Sequence, residues 1–208
     1  MKESLNCRMS NSAFTSAFNI QNSALGMRVI SGTLKGRRID APDWPGLRPT
    51  SDKLRETLFN VLGPSIVDAH VLDGYAGTGA VGIEALSRGA AQVTFVERDP
   101  RAVTLIETNL QRCGLSERYA IIRGDFTASK TVSGLERSRI DVVFLDPPYG
   151  SAELSAALEA VGRWVGPDTR VIVEHAKRDQ PPTDVAGLVL TRDLVSGDSA
   201  LAFYGSRG

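Results

Sequence analysis

The chain has 208 residues, 42% of them apolar, and its 24 lysines and arginines balance 24 aspartates and glutamates. That length and composition suit one domain with a sizeable core and exclude a charged coil; apolar runs such as Val142-Val143-Phe144-Leu145 fall far short of the roughly 20 residues of a membrane span. Two widely separated cysteines, Cys7 and Cys113, exclude a disulfide framework or a zinc site, and point to a soluble, cytoplasmic protein in a reducing compartment.

The zero net charge conceals an asymmetry. Residues 1–62 carry nine basic and five acidic side chains, a balance of +4, whereas residues 63–208 carry fifteen and nineteen, a balance of −4. Arg28, Lys35, Arg37, Arg38, Arg48, Lys53 and Arg55 fall within 28 residues. Such a field suits a polyanion such as nucleic acid as well as it suits a plain solvated face.

In chain order, residues 1–26 are rich in Ser, Asn and Ala and lack the apolar core of a secretory signal. They read as a disordered tail, or as an over-long start ahead of Met27. Residues 27–39 alternate on either side of Gly32-Thr33 as a short basic hairpin. Thr50 is placed to cap a helix whose apolar face is Leu54, Leu58, Val61 and Leu62, ended by Gly63-Pro64. Strands at 71–73 and 92–96 then flank a helix at 80–88. Asp99 caps the next helix, with Pro100 at its first position and Gly114 as terminator. Strands at 119–122 and 140–145, a helix at 152–165 and a strand at 170–174 continue the alternation, which predicts an α/β fold with a doubly wound parallel sheet. Residues 188–194 and 200–204 have no helix between them and should pair as a hairpin at one edge.

Three motifs carry chemistry. Asp73-Gly74-Tyr75-Ala76-Gly77-Thr78-Gly79 joins the first core strand to its helix, where glycines such as Gly77 and Gly79 let the backbone approach a ligand at free N–H groups. Glu97 closes the next strand, placed to bond two ribose hydroxyls. These features also fit a dinucleotide fingerprint. Asp73 tilts the choice toward S-adenosylmethionine, because a carboxylate there welcomes the charged amino group of a methionine moiety and repels a pyrophosphate. Asp125 and Phe126 follow the third core strand, in reach of an adenine amine and ring face. The third motif, Asp146-Pro147-Pro148-Tyr149, follows the fourth core strand. A base amine is a poor nucleophile because its lone pair is delocalised into the ring. The Asp146 carboxylate and the Pro147 carbonyl could each accept one N–H, and Tyr149 could stack on the base. The Asp73 and Asp146 loops should adjoin where strand order reverses. His70 and His175 show no metal or triad pattern, so no metal is expected, and Cys113 reads as a buried thiol.

From Met27 onward the chain resembles the bacterial RsmD family of 16S ribosomal RNA guanine-N2 methyltransferases. The resemblance is carried by Arg28-Val29-Ile30-Ser31-Gly32, by Arg48-Pro49-Thr50-Ser51-Asp52-Lys53-Leu54-Arg55-Glu56, by the glycine loop, by Glu84-Ala85-Leu86-Ser87-Arg88-Gly89-Ala90, and by Glu97 and Asp146 to Tyr149. It implies a seven-stranded, Rossmann-like methyltransferase sheet in which Asp73, Gly77 and Glu97 hold the donor and residues 146–149 hold guanine. Gly74 and Tyr75 depart mildly, standing where the family usually has a bulkier residue and Phe. The resulting expectation is a tail (1–26), an RNA-facing hairpin and helix (27–62) and a methyltransferase domain (63–208). Arg28, Lys35, Arg37, Arg38 and Arg48 would contact RNA along the rim of the active site. The partner would be 16S ribosomal RNA in a small-subunit assembly particle, met by a monomer away from any membrane. The alternatives are methylation of an adenine or protein-glutamine amine, which uses similar four-residue motifs, and a non-catalytic RNA-binding assembly factor.

Overall fold

The structure, a computed structural model, describes residues 26–42, 44, 50–128, 131, 140–163 and 165–207. Arg48 and all but the last residue of the expected tail lie outside the described residues.

Strands β1 (His70–Asp73), β2 (Gln92–Glu97), β3 (Tyr119–Arg123), β4 (Val142–Leu145) and β5 (Arg170–Ala176) run parallel in the order β3-β2-β1-β4-β5. β8 (Ser199–Ser206), β7 (Leu188–Ser196) and β6 (Asp184–Val185) extend the sheet beyond β5, each antiparallel to its neighbour. The resemblance implied seven strands; the eighth is the two-residue β6. Ala186 and Gly187, at φ 48° and 84°, make the tight turn that folds Val185 onto Leu188. Two positive φ values in a two-residue loop match the twist of a hairpin. A pair of residues shows no alternation, which is why the sequence pattern omitted it, and β6 rather than β7 forms the edge.

β4 is apolar at every position, so it must be covered on both faces. Val142 and Phe144 join Ile172 and Leu201 in a cluster with Leu54 and Leu58 of α1 (Asp52–Leu62), Ile83 of α2 (Ala80–Ser87) and Ile106 of α3 (Pro100–Arg112). Val143 and Leu145 join Leu72, Val171 and Val173 against Leu154, Leu158 and Val161 of α4 (Ser151–Gly162). α3 begins and ends as expected: Asp99 accepts from the Arg101 N–H at 2.9 Å, and Gly114 takes φ 68° beyond the last turn. α1 differs by one residue. Its cap is Ser51, whose Oγ reaches the Leu54 N–H at 3.2 Å, and Phe59 joins the buried face while Val61 is only half-buried. Among the described residues no helix is long and apolar enough to cross a membrane.

Residues 27–39 form a hairpin-like turn held by one antiparallel bridge, Arg28 to Arg38, with Val29 and Ile39 buried in the α1–α3 cluster. Its docking is polar. Glu84, 0% exposed in its side chain, accepts from the Ile30 N–H at 2.7 Å, the Ser31 N–H at 3.0 Å and Arg88 Nε at 2.7 Å. Arg55 lies 3.8 Å from the same carboxylate, also at 0% exposure, and donates to Asp52 at 2.6 Å and to the Arg28 carbonyl at 2.9 Å. Ser87 Oγ donates to the Ser31 carbonyl at 2.5 Å and accepts from the Leu34 N–H at 3.0 Å. Gly32, at φ 82°, lies so close to α2 that a Cβ would stand 1.9 Å from the Ser87 carbonyl oxygen. Arg55, counted with the basic cluster, is therefore a buried strut, unavailable to a polyanion.

Candidate active site

Order reverses at β1, which pairs with both β2 and β4. Ligands of open α/β sheets bind beyond the carboxyl ends of strands at such a point. There the loop from β1 to α2 sets Gly77 and Gly79 at φ 54° and 76°, a region that suits glycine. Within α2, a Cβ on Gly82 would stand 2.2 Å from the Phe95 ring, so glycine lets the helix lie close on β2. Gly74 does the same on the other side: a Cβ would meet Leu145 at 2.5 Å and Phe126 at 3.0 Å. The smaller residue at this departure from the family pattern lets the Phe126 ring tuck beneath the loop, 5.5 Å from the Tyr75 ring.

A cavity of about 450 Å³ opens over this loop. Glu97 stands on its wall and braces it: one carboxylate oxygen accepts from the Gly77 N–H at 2.9 Å, the other from the Asp99 N–H at 2.8 Å. Asp125 and Phe126 follow β3 on the same wall. Asp125 accepts from the Thr127 hydroxyl at 2.7 Å and its N–H at 2.9 Å, contacts that hold its carboxyl below the ordinary range. Phe126 is buried and backs the cavity, so little of its ring is offered to a ligand. Asp73 lies under the loop rather than on the wall, accepting from the Gly82 N–H at 3.1 Å. Burial, with a smaller push from the Glu97 charge, raises its carboxyl from 3.8 to about 7 against the pull of that N–H.

The opposite wall is Asp146, Pro147, Pro148 and Tyr149, directly after β4. The Tyr149 hydroxyl lies 2.9 Å from Ser199 Oγ and donates to Glu174 Oε1 at 3.3 Å, so the ring is tethered to β5 and β8. Motif reading missed Trp44, Arg101 and Glu174, which also line the cavity. Arg101 lies over the Trp44 ring at 5.1 Å and pairs with Asp99 at 2.7 Å. Glu174 was findable: it is an acidic residue near the carboxyl end of a parallel core strand.

A family model described as conserved hypothetical protein 95 matches residues 27–205. The ribosomal RNA small subunit methyltransferase D of Escherichia coli K12 is 37% identical over 182 residues, 86% of this chain and 89% of that protein. The protein of the same name from Haemophilus influenzae is 35% identical over 180 residues, 86% and 93% of the two chains. The chain belongs to the RsmD family. The solved structure of the Escherichia coli protein yhhF matches with a TM-score of 0.73 at 35% identity, covering 86% of this chain and 97% of that one. At 15% identity, an RNA methyltransferase from Salinibacter ruber, solved with S-adenosyl-L-homocysteine, shares the fold with a TM-score of 0.60 over 76% of this chain and 94% of its own.

Of the RsmD-like segments at 48–56 and 84–90, Thr50 lines the cavity, whereas Asp52, Arg55, Glu84, Ser87 and Arg88 do not. Their charged and hydroxyl groups form the buried network that docks the hairpin. Arg28, Lys35, Arg37 and Arg38 are exposed on that hairpin, and none of the four is among the residues lining the cavity. The hairpin contacts Glu84 and Ser87 on α2 and the region of Asn109 and Cys113 at the end of α3, whereas the cavity touches Ala80 and Val81 at the start of α2 and Arg101 at the start of α3. Asn109 links the two, donating to the Asp40 carbonyl at 3.1 Å and to the carbonyl of Thr78, a residue of the cavity lining, at 2.9 Å. Arg37 has a structural duty there, donating to the Cys113 carbonyl and capping α3. His175 is buried against the Ala176 carbonyl at 3.0 Å and Asp193 at 3.1 Å, and Cys113 is a buried thiol. Among the described residues no three His, Cys, Asp or Glu side chains come together to hold a metal.

Proposed function

We propose that this chain moves a methyl group from S-adenosylmethionine to the exocyclic N2 of a guanine in 16S ribosomal RNA during small-subunit assembly. The observation that carries the reading is that Glu97 and the Asp146 to Tyr149 turn face one cavity across the β1–β4 switch point. A volume near 450 Å³ lies in the usual range for small-ligand sites. The donor side fits the cofactor chemically: Glu97 is held by two backbone N–H groups and keeps lone pairs for ribose hydroxyls, Asp125 suits an adenine amine, and the carboxyl of Asp73, beneath the loop, would be drawn toward its charged form by a cationic ligand. The cofactor supplies an electrophilic methyl on a sulfonium.

On the acceptor side, Asp146 and the Pro147 carbonyl take the two N–H bonds of the amine, which orients its lone pair at the methyl. Two consecutive prolines limit the swing of that carbonyl. Tyr149, tethered through its hydroxyl, supplies a face on which a base extruded from its stack can rest. The amine would gain one carbon bond as the methyl–sulfur bond breaks with its electron pair left on sulfur, and it would lose one proton, for which the Asp146 carboxylate is the nearest base in the assignment. Positioning supplies most of the rate.

The test is to give the purified protein labelled donor and small-subunit RNA, naked or in particles, from a strain lacking the corresponding gene, and to map the product by mass. One N2-methylguanine supports the reading; labelled adenine or labelled ribosomal protein overturns it. Asp146→Ala should abolish transfer while donor affinity by calorimetry stays within a few-fold.

A further inference from the structure

Trp44 reaches the cavity from outside the sheet. With Thr50 it belongs to the segment between the hairpin and α1, whereas the other lining residues sit at or just beyond the ends of core strands or in the first turns of α2 and α3. Its ring is half-buried, and among the described residues it joins neither apolar cluster. An indole that served only to anchor its loop would be found in one of them, because buried apolar area is what such an anchor contributes. Charge holds it instead. Arg101 Cζ lies over the ring, 5.1 Å from its centre, within cation–π range. The same guanidinium grips the Asp99 carboxylate, with Nε 3.1 Å from one oxygen and Nη2 2.7 Å from the other. The Asp99 N–H in turn donates to Glu97 at 2.8 Å. Three contacts thus run from the indole to the carboxylate assigned to ribose, on the side of the cavity where the buried Phe126 offers little of its ring.

We propose that Trp44 is a donor-binding residue, whose ring contacts the ribose end of S-adenosylmethionine and shields the Glu97 hydrogen bonds from water. This inference rests on the donor side described under Proposed function. Glu97 can bond ribose hydroxyls in an open cleft, but a hydrogen bond is stronger where water is excluded. Beside Glu97, Arg98 and Asp99 the indole adds the apolar surface that small-ligand sites combine with a few polar groups.

The chain has two tryptophans, so Trp164→Phe leaves Trp44 as its single indole. In that protein, saturating S-adenosyl-L-homocysteine should reduce acrylamide quenching of the indole about twofold or more, because a ligand seated against the ring excludes solvent. By calorimetry, Trp44→Ala should weaken this ligand about tenfold and Trp44→Phe about threefold or less, as expected for losing or shrinking an aromatic contact. 5′-Methylthioadenosine, which keeps the ribose and lacks the amino-acid end, should lose as much to Trp44→Ala. Unchanged quenching, a Trp44→Ala affinity equal to that of the wild type, or a loss confined to S-adenosyl-L-homocysteine overturns the proposal. So does an indole protected by small-subunit RNA and not by the donor analogue. If Trp164→Phe does not fold, the difference in quenching between the wild-type chain and Trp44→Phe takes its place. No binding of the analogue to the wild-type chain would instead overturn the underlying donor reading.

Discussion

Glu84→Ala should be among the most destabilising single changes in this chain, and its size follows from what the carboxylate touches. The variant removes the acceptor of the Ile30 and Ser31 N–H groups and of Arg88 Nε, and leaves Arg55, 0% exposed, with Asp52 and one carbonyl as its partners among the described residues. Breaking a buried pair from one side costs about 3–5 kcal/mol, because the surviving charge is stranded. For a domain of this size each kcal/mol lowers the thermal midpoint by roughly 2–4 °C, so the expected fall is about 6–20 °C. Arg88→Ala removes a partner that is 16% exposed and makes one of the four contacts, so its cost should be about 1–2 kcal/mol. An apolar replacement of Arg55 and Glu84 together should not restore stability, as such swaps sometimes do, because two hairpin amides would still lack an acceptor. Urea denaturation of the three variants, with hydrogen exchange at Ile30 and Ser31, measures this. A Glu84→Ala loss under about 1 kcal/mol, or unchanged exchange at those amides, would refute the network as the hairpin's anchor.

Three further outcomes follow from particular groups. Glu97→Ala should weaken donor binding by about 1–3 kcal/mol, the scale of a charge-assisted hydrogen bond, and calorimetry showing equal affinity would remove Glu97 from the donor wall. The Asp73 carboxyl, raised from 3.8 to about 7 by burial and Glu97, holds a proton that the unfolded chain gives up. Its contribution to stability is therefore full below about pH 4 and lost as pH rises through about 7; Asp73→Asn should flatten that decline in urea midpoints, and an unchanged slope refutes it. Lys35→Ala with Arg38→Ala should lower the slope of log RNA affinity against log salt by roughly 1.5 if both meet phosphate, whereas Arg37→Ala should lower the thermal midpoint, since its guanidinium caps α3; an unchanged slope puts the RNA on another face.

Punctuation made most of the fold readable. Asp99-Pro100 and Gly114 bound α3 because cap chemistry is local, and the run at 142–145 declared a strand covered on both sides. β6 was hidden because two residues have no period, and its pairing depends on the Ala186-Gly187 turn. The site was legible where one residue type has one use, as in the glycines at 77 and 79 and the carboxylate of Glu97. It was illegible where charge has two uses. Arg55 and Arg37 look like Arg38 in composition, yet the first is buried, the second caps a helix, and only contacts distant in sequence distinguish them. Glu174, an acidic residue near the carboxyl end of a parallel core strand, left that signal in the sequence although no motif contained it.

Charge placement ties these features together. Glu97, Asp99, Asp125, Asp146 and Glu174 line the cavity together with Arg98 and Arg101, and Asp73 lies beneath it, while Arg28, Lys35, Arg37 and Arg38 stand exposed on the hairpin outside that lining. With five carboxylates against two guanidinium groups, that lining is net acidic. A carboxylate-walled space in low dielectric favours a cation and resists a phosphate. It suits a sulfonium donor on one side and, on the other, an uncharged base entering ahead of its own backbone. In the proposed reading the RNA backbone is held outside the cavity. Substrate grip and base choice then fall to different parts of the molecule. Variants at the cavity should change which base reacts, and variants on the basic surface should change affinity for every RNA alike.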